Sequence, residues 1–329
     1  MEKVKIGSTD VEASVITFGA WAIGGWMWGG ADRKEAVKAI QSAYDAGMTS
    51  IDTAPIYGQG TSEEIVGEAI ADIPRDQVQL LTKFGMRWDR VGGDFAMNSK
   101  DNSGKAIDIY KWCSKESIIE ECEASLKRLK TDYIDLYQQH WPETVTPINE
   151  IMEAMEILLQ QGKIRAAGVC NYNKALMEEA NKTLHLASNQ VEYSMINRGI
   201  ENELVPYCIK ERQSIIAYSP LQRGLLTGKI KPGHHFGEGD TRSTNRFYTQ
   251  DNILKVNEFL TAIQPLADSR GVKIGQLALA WALAQKGITV LLAGARNAEQ
   301  ALENAKATEI QLAPEELSHI RTKLEQYGL

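Results

Sequence analysis

Short β-branched, apolar runs alternate with amphipathic helical stretches along the whole chain, and no other feature limits the fold as strongly. Val15–Phe18 leads into a helical pattern over Arg33–Ala46, Thr49–Asp52 into Glu63–Ala71, and Val78–Phe84 into Lys115–Leu129. Tyr133–His140 is followed by Ile148–Gln161, Ile164–Val169 by Lys174–Thr183, and Ser188–Glu192 by Glu203–Arg212, with Ser214–Tyr218 and Thr289–Leu292 as a seventh and an eighth strand. Such alternation is the pattern of parallel strands joined by crossover helices. Eight strands in 329 residues predict an α/β fold, a (β/α)8 TIM barrel, which needs about 250 residues plus insertions. A doubly wound sheet is the alternative.

Ahead of the first unit, Val4–Ile6, a polar turn at Gly7–Asp10 and Val11–Ala13 predict an N-terminal β-hairpin that caps one end of the barrel. Arg87–Cys113, Leu221–Asn252 and the helical stretch around Pro314–Gln326 exceed the usual connection lengths, and the first two are expected to be long active-site loops. With no low-complexity linker, residues 1–329 read as a single domain.

Composition narrows the partners. Lys and Arg number 36 against 43 Asp and Glu, a net charge of −7, so no general positive excess exists to neutralise a phosphate backbone and no nucleic-acid partner is expected. The four cysteines, at 113, 122, 170 and 208, contain no CxxC pair and are too few for a disulfide scaffold in so long a chain. The amino terminus lacks the apolar segment of a signal peptide, and no window approaches the ~18 apolar residues of a membrane span. The expectation is a cytoplasmic protein with no membrane partner; the oligomeric state is open, with a monomer the simpler expectation.

In a barrel of this kind, polar side chains at the carboxyl ends of strands face the active site. The second predicted strand ends in Asp52 with Tyr57 just beyond, the third in Lys83, and the fourth in His140. Taken singly, these are a turn former, two loop residues and a buried imidazole. Together they form a proton-donor set. A free phenol titrates near 10, too high for efficient transfer at neutral pH, and an adjacent ammonium lowers it. Asp52 would hold Lys83 charged and in place, and His140 would orient a substrate carbonyl.

At these residues the chain resembles the aldo-keto reductase superfamily. Gly47–Ala54 with Tyr57-Gly58 and Ser62-Glu63 is similar to its first signature, Asp132–Tyr137 leading into His140-Trp141-Pro142 to its second, and Gly162–Arg165 with Gly168–Asn171 to its third. Tyr218–Leu221, Arg223–Lys229 and Gly294–Arg296 complete the resemblance, and the Trp21–Gly25 entry is similar to the bacterial branch called family eleven. The resemblance implies Tyr57 as general acid, Lys83 and Asp52 as its tuning pair, and His140 as the carbonyl-orienting group. It implies NADPH/NADP+ as cofactor: Cys170, Asn171 and Gln190 at the nicotinamide amide, with Cys170 standing where the family has a serine, and Tyr218 stacked on the ring. Ala20, Trp21 and Asp52 would also line the cofactor.

The Gly-punctuated segment Ser219, Pro220, Leu221, Arg223, Gly224 to Lys229 has the character of a pyrophosphate-wrapping loop. Gly294 and Arg296 precede a helix on which Gln300, Glu303 and Asn304 share a side, a setting that suits a 2'-phosphate and the adenine. The nearest approach to a dinucleotide glycine fingerprint, Gly58-Gln59-Gly60, lacks its third glycine and is weak.

Trp21, Trp26, Trp28, Trp88 and Trp141 follow strand ends and are candidates for the walls of a substrate pocket. Five histidines without a His/Cys cluster predict no metal. The resulting expectation is an NADPH-dependent reductase of aldehydes, and of some ketones, acting on a small carbonyl substrate. A nucleotide-sensing regulatory subunit with slow redox turnover is the alternative, and a Schiff-base aldolase or phosphate isomerase using Lys83 a third reading.

Overall fold

The computed structural model describes residues 1–28, 30–237 and 240–329; residues 238–239, within the Leu221–Asn252 stretch, lie outside the described residues. The chain opens with an antiparallel hairpin of β1 (Lys3–Lys5) and β2 (Glu12–Ser14), then enters β3 (Ile16–Gly19), α1 (Arg33–Asp45), β4 (Ser50–Asp52), α2 (Thr61–Ala69) and β5 (Gln79–Phe84). Next come β6 (Met86–Arg87), β7 (Asp94–Lys100) and β8 (Ala106–Lys111), an antiparallel excursion within the segment expected to be a loop. The pattern resumes with α3 (Lys115–Leu129), β9 (Ile134–Gln139), α4 (Ile148–Gln160), β10 (Ile164–Cys170), α5 (Lys174–Ala180), β11 (Ser188–Glu192), α6 (Leu204–Lys210) and β12 (Ser214–Tyr218). Two helices outside the predicted strand–helix units, α7 (Gln250–Asp268) and α8 (Ile274–Leu283), precede β13 (Ile288–Gly294), α9 (Ala298–Lys306) and α10 (Pro314–Gln326).

Strands β3, β4, β5, β9, β10, β11, β12 and β13 are parallel neighbours in chain order and close on themselves through β13 and β3, so the eight-strand barrel is the architecture and the doubly wound alternative is excluded. Every residue of β5 and β9 is buried, as expected for strands covered on both faces. The helices start where the sequence supplies caps: Asp32, Ser114, Asn173 and Asn297 each accept a backbone N–H from the first turn of α1, α3, α5 and α9.

Two apolar layers hold the barrel. The larger lies between strands and helices, and a smaller one of Leu81, Leu136, Ala166, Ile216, Val290 and Leu292 fills the barrel interior and packs on Ile6, Val11 and Ala13 of the hairpin. The hairpin covers the end where strands begin, because Gly7 N–H donates to Ser214 Oγ and Ser14 N–H to Ser50 Oγ, at the first residues of β12 and β4. This plug leaves the carboxyl ends of the strands as the open mouth. No helix among the described residues is long and apolar enough to cross a membrane.

Candidate active site

Asp52 closes β4, Lys83 is the penultimate residue of β5, and His140 follows β9, so the barrel brings three distant segments to one mouth. The Lys83 ammonium is fully buried and donates to Asp52 Oδ1 at 2.6 Å and to the Thr53 carbonyl at 2.8 Å. Gln190, from β11, donates to the other oxygen of Asp52 at 2.8 Å. Lys83 Nζ lies 5.0 Å from the centroid of the Tyr57 ring, and that ring meets His140 edge-on at 5.6 Å. Tyr57 sits in a turn that only glycine permits beside it: Gly58 has φ +67°, and a Cβ there would lie 2.2 Å from the Gly24 carbonyl oxygen.

The electrostatics follow from this burial. Burial opposes the Lys83 charge, but Asp52 and Tyr57 overcome it and hold the ammonium above the ordinary lysine range. Burial pushes the Tyr57 phenol up to about 12, with Lys83 pulling against the rise. The expectation of a net lowered phenol is therefore corrected: the ammonium acts in the anticipated direction, and desolvation outweighs it. His140 is pushed well below the usual imidazole range by burial and then by Lys83, so it is neutral. Burial likewise lifts Cys170, at the end of β10, and keeps it a thiol.

Asn171 adopts φ +60° immediately after β10, accepts from Tyr218 Oη at 3.0 Å and donates to the His140 carbonyl at 3.2 Å, which ties three strand ends together. Beyond Tyr218 the backbone is strained: Ser219, Gln222 and Arg223 have φ of +55°, +46° and +46° with no glycine to relieve them, and Gly224 follows at +97°. Pro220 is buried, Leu221 and Gly224 are half-buried, and Lys229 is exposed. The Arg223 guanidinium carbon lies 5.1 Å from the Trp21 ring, and Arg242 donates to the Arg223 carbonyl. Ala20 is buried and donates its N–H to the Asp52 carbonyl at 2.8 Å.

Further along the mouth, Gly294 ends β13 and Arg296 stands exposed just ahead of α9. Gln300 Oε1 accepts the Arg296 N–H, Asn304 is buried and donates to the Gly294 carbonyl at 3.1 Å, and Glu303 pairs with Lys273. Asn304 therefore braces α9 against β13, and Glu303 already has a cationic partner.

The tryptophans divide. Trp21 stacks near Tyr57 with centroids 6.1 Å apart, Trp28 meets Trp21 edge-on at 5.4 Å, and Trp88 packs in the same apolar cluster. Trp26 is buried, and its indole N–H donates to Ser99 and Lys100 of β7, so it pins the antiparallel excursion to the mouth. Trp141 is among the exposed apolar residues and outside that cluster. Among the residues that sequence reasoning did not single out are Arg242, which covers Trp28, and Glu121, which is buried under Gly85 and accepts its N–H. Neither carries a local motif; both arrive by packing.

A nicotinamide dinucleotide needs carboxamide partners, a flat stacking surface and cationic groups for phosphate. Asn171 and Gln190, the Tyr218 ring, and Arg223 with Arg296 supply that chemistry along one rim, and the indole N–H of Trp21, beside Tyr57, is buried with no partner among the described residues. The residues fit the group. Among the described residues no cluster of three or more His, Cys, Asp or Glu side chains could hold a metal ion.

A profile described as "Aldo/keto reductase family" matches residues 15–325. The chain is 39% identical over 330 residues to a protein of Escherichia coli (strain K12) named "NADH-specific methylglyoxal reductase", covering 99% of both chains. The structure of the glycerol dehydrogenase AKR11B4 from Gluconobacter oxydans superposes with a TM-score of 0.89 at 35% identity, covering 99% of this chain and 95% of that one. An aldo-keto reductase from Klebsiella pneumoniae, solved in complex with NADPH, matches with a TM-score of 0.73 at 30% identity, covering 99% and 96%. With a closed parallel barrel, a buried Asp52–Lys83 pair beneath Tyr57 and His140, and these likenesses over nearly its whole length, the chain belongs to the aldo/keto reductase family of nicotinamide-dependent oxidoreductases.

Proposed function

We propose that the protein, acting as one barrel unit over residues 1–329, reduces small aldehydes and some ketones to alcohols with NADPH. A bound nicotinamide cofactor supplies the hydride. Tyr57 donates the proton to the developing alkoxide, and neutral His140 donates a hydrogen bond that orients the carbonyl oxygen. Lys83, held charged by Asp52, offsets the desolvation of the Tyr57 phenol and favours its anion once the proton has left. Asn171, Gln190 and Tyr218 position the nicotinamide end, Arg223 and the Ser219–Lys229 segment serve the pyrophosphate, and Arg296 serves the 2'-phosphate. Trp21 and Trp28 wall the substrate side, which favours compact carbonyl compounds.

The observation that carries this reading is the 2.6 Å contact between Lys83 and Asp52, buried directly below the Tyr57 ring. The test is oxidation of NADPH, run beside NADH, across aldehydes, ketones and sugars. Sustained multiple turnover with aldehydes supports the reading. A single slow oxidation of bound cofactor without turnover overturns it in favour of a sensing subunit.

A further inference from the structure

A cavity of about 250 Å³ lies between the first turns of α1 and α9. Arg296, Asn297 and Gln300 line one wall, and Gly30, Asp32 and Glu35 face them from the other. One oxygen of Asp32 caps α1 by accepting the Glu35 N–H at 3.0 Å. The Arg296 side chain forms no ion pair among the described residues, so its charge is uncommitted although two carboxylates share its cavity. We infer that Asp32 and Glu35 set the cofactor selectivity of this enzyme, accepting the adenosine ribose hydroxyls of NADH and opposing the 2'-phosphate of NADPH, so that the chain uses both cofactors. The inference rests on the proposed reading that Arg296 marks the adenosine end of the cofactor.

The physical reason is a balance of charge in a small space. A 2'-phosphate brings close to two negative charges beside Arg296 into the cavity that both carboxylates line, and their repulsion, softened by solvent because all three side chains are exposed, opposes its binding. A ribose diol is neutral, and its hydroxyls donate to carboxylate oxygens in charge-assisted hydrogen bonds. One wall therefore favours NADPH and the other NADH. Asn caps a helix as well as Asp, so Asp32→Asn removes the charge without removing the α1 cap. Glu35 is exposed, and Glu35→Gln disturbs no packing.

The experiment is a fluorescence titration of the wild-type protein and the Asp32→Asn/Glu35→Gln variant with NADH and with NADPH, repeated calorimetrically with ADP and 2'-phospho-ADP-ribose, which lack the nicotinamide. The variant is expected to shift the ratio of dissociation constants toward NADPH by about tenfold or more, with the same shift between the two probes. Thermal melting of the variant confirms its fold. Tight binding of both cofactors with an unchanged ratio overturns the inference and leaves the reductase reading standing. Failure of the wild-type protein to bind either dinucleotide overturns both.

Discussion

Lys83 Nζ and Asp52 Oδ1 lie 2.6 Å apart, and both side chains are closed to solvent, so the only charge that Lys83 can spend on Tyr57 is one that Asp52 keeps in place. Burial alone would favour neutral lysine and neutral carboxylic acid. The hydrogen bond from Gln190 to Asp52 and the Thr53 carbonyl on Lys83 offset part of the cost of burying the pair.

Lys83→Met is expected to cut reduction about 100-fold or more and to change the pH profile of the reverse reaction. The Tyr57 phenol already stands at about 12, and Lys83 is the strongest influence lowering it, so its removal moves the phenol higher. Alcohol oxidation needs the phenolate as base; residual oxidation should rise with pH to higher values than in the wild type. The check is kcat in both directions against pH, with folding followed by circular dichroism.

Tyr57→Phe removes the proton and keeps the ring that packs against Trp21 and His140. Turnover should fall about 100-fold or more while NADPH affinity, measured by fluorescence titration, stays near the wild-type value. Retention of more than about a tenth of the activity would remove Tyr57 from the role of general acid.

Arg296→Ala is expected to weaken NADPH by about tenfold or more and NADH little, because only a 2'-phosphate takes charge-assisted hydrogen bonds from the guanidinium. Dissociation constants for the two cofactors measure this directly. Equal losses would assign Arg296 to the helix terminus alone.

Glu121 gives a prediction for stability. Burial pushes its carboxyl up from an ordinary 4.5 to about 7, against the pull of Arg87 and the Gly85 N–H. The folded chain therefore holds this proton more tightly than the unfolded chain, and the stabilisation from protonation is full below about 4.5 and is lost as pH rises through about 7. Glu121→Gln keeps an oxygen for Gly85 and cannot ionise. Denaturant unfolding between pH 5 and 8 should show a flatter dependence, near neutral pH, in the variant.

The local pattern of the sequence determined most of the barrel. Lys115–Leu129, Ser188–Glu192 and Ser214–Tyr218 appear with the boundaries that their periodicity and flanking residues dictate, and the other barrel strands and crossover helices differ by a few residues at their ends. Strand ends also located Asp52, Lys83 and His140, because side-chain alternation and a fixed barrel mouth are local consequences of chain order. The excursion of β6, β7 and β8 read as a loop, since its polar strands, with a half-exposed pattern, become strands only by pairing with one another and by the grip of Trp26 on Ser99 and Lys100. The long segment before β13 hid α7 and α8 behind the loop-like stretch that precedes them.

Tertiary structure alone decided the sign of the Tyr57 shift, because desolvation depends on every neighbour that excludes water, and the sequence names only the charged ones. It also decided that Asp32 and Glu35 face Arg296. Those residues are separated by more than 250 positions and meet because β13 pairs with β3, which sets α9 against α1. Barrel closure is a property of the whole sheet, and no window of sequence contains it.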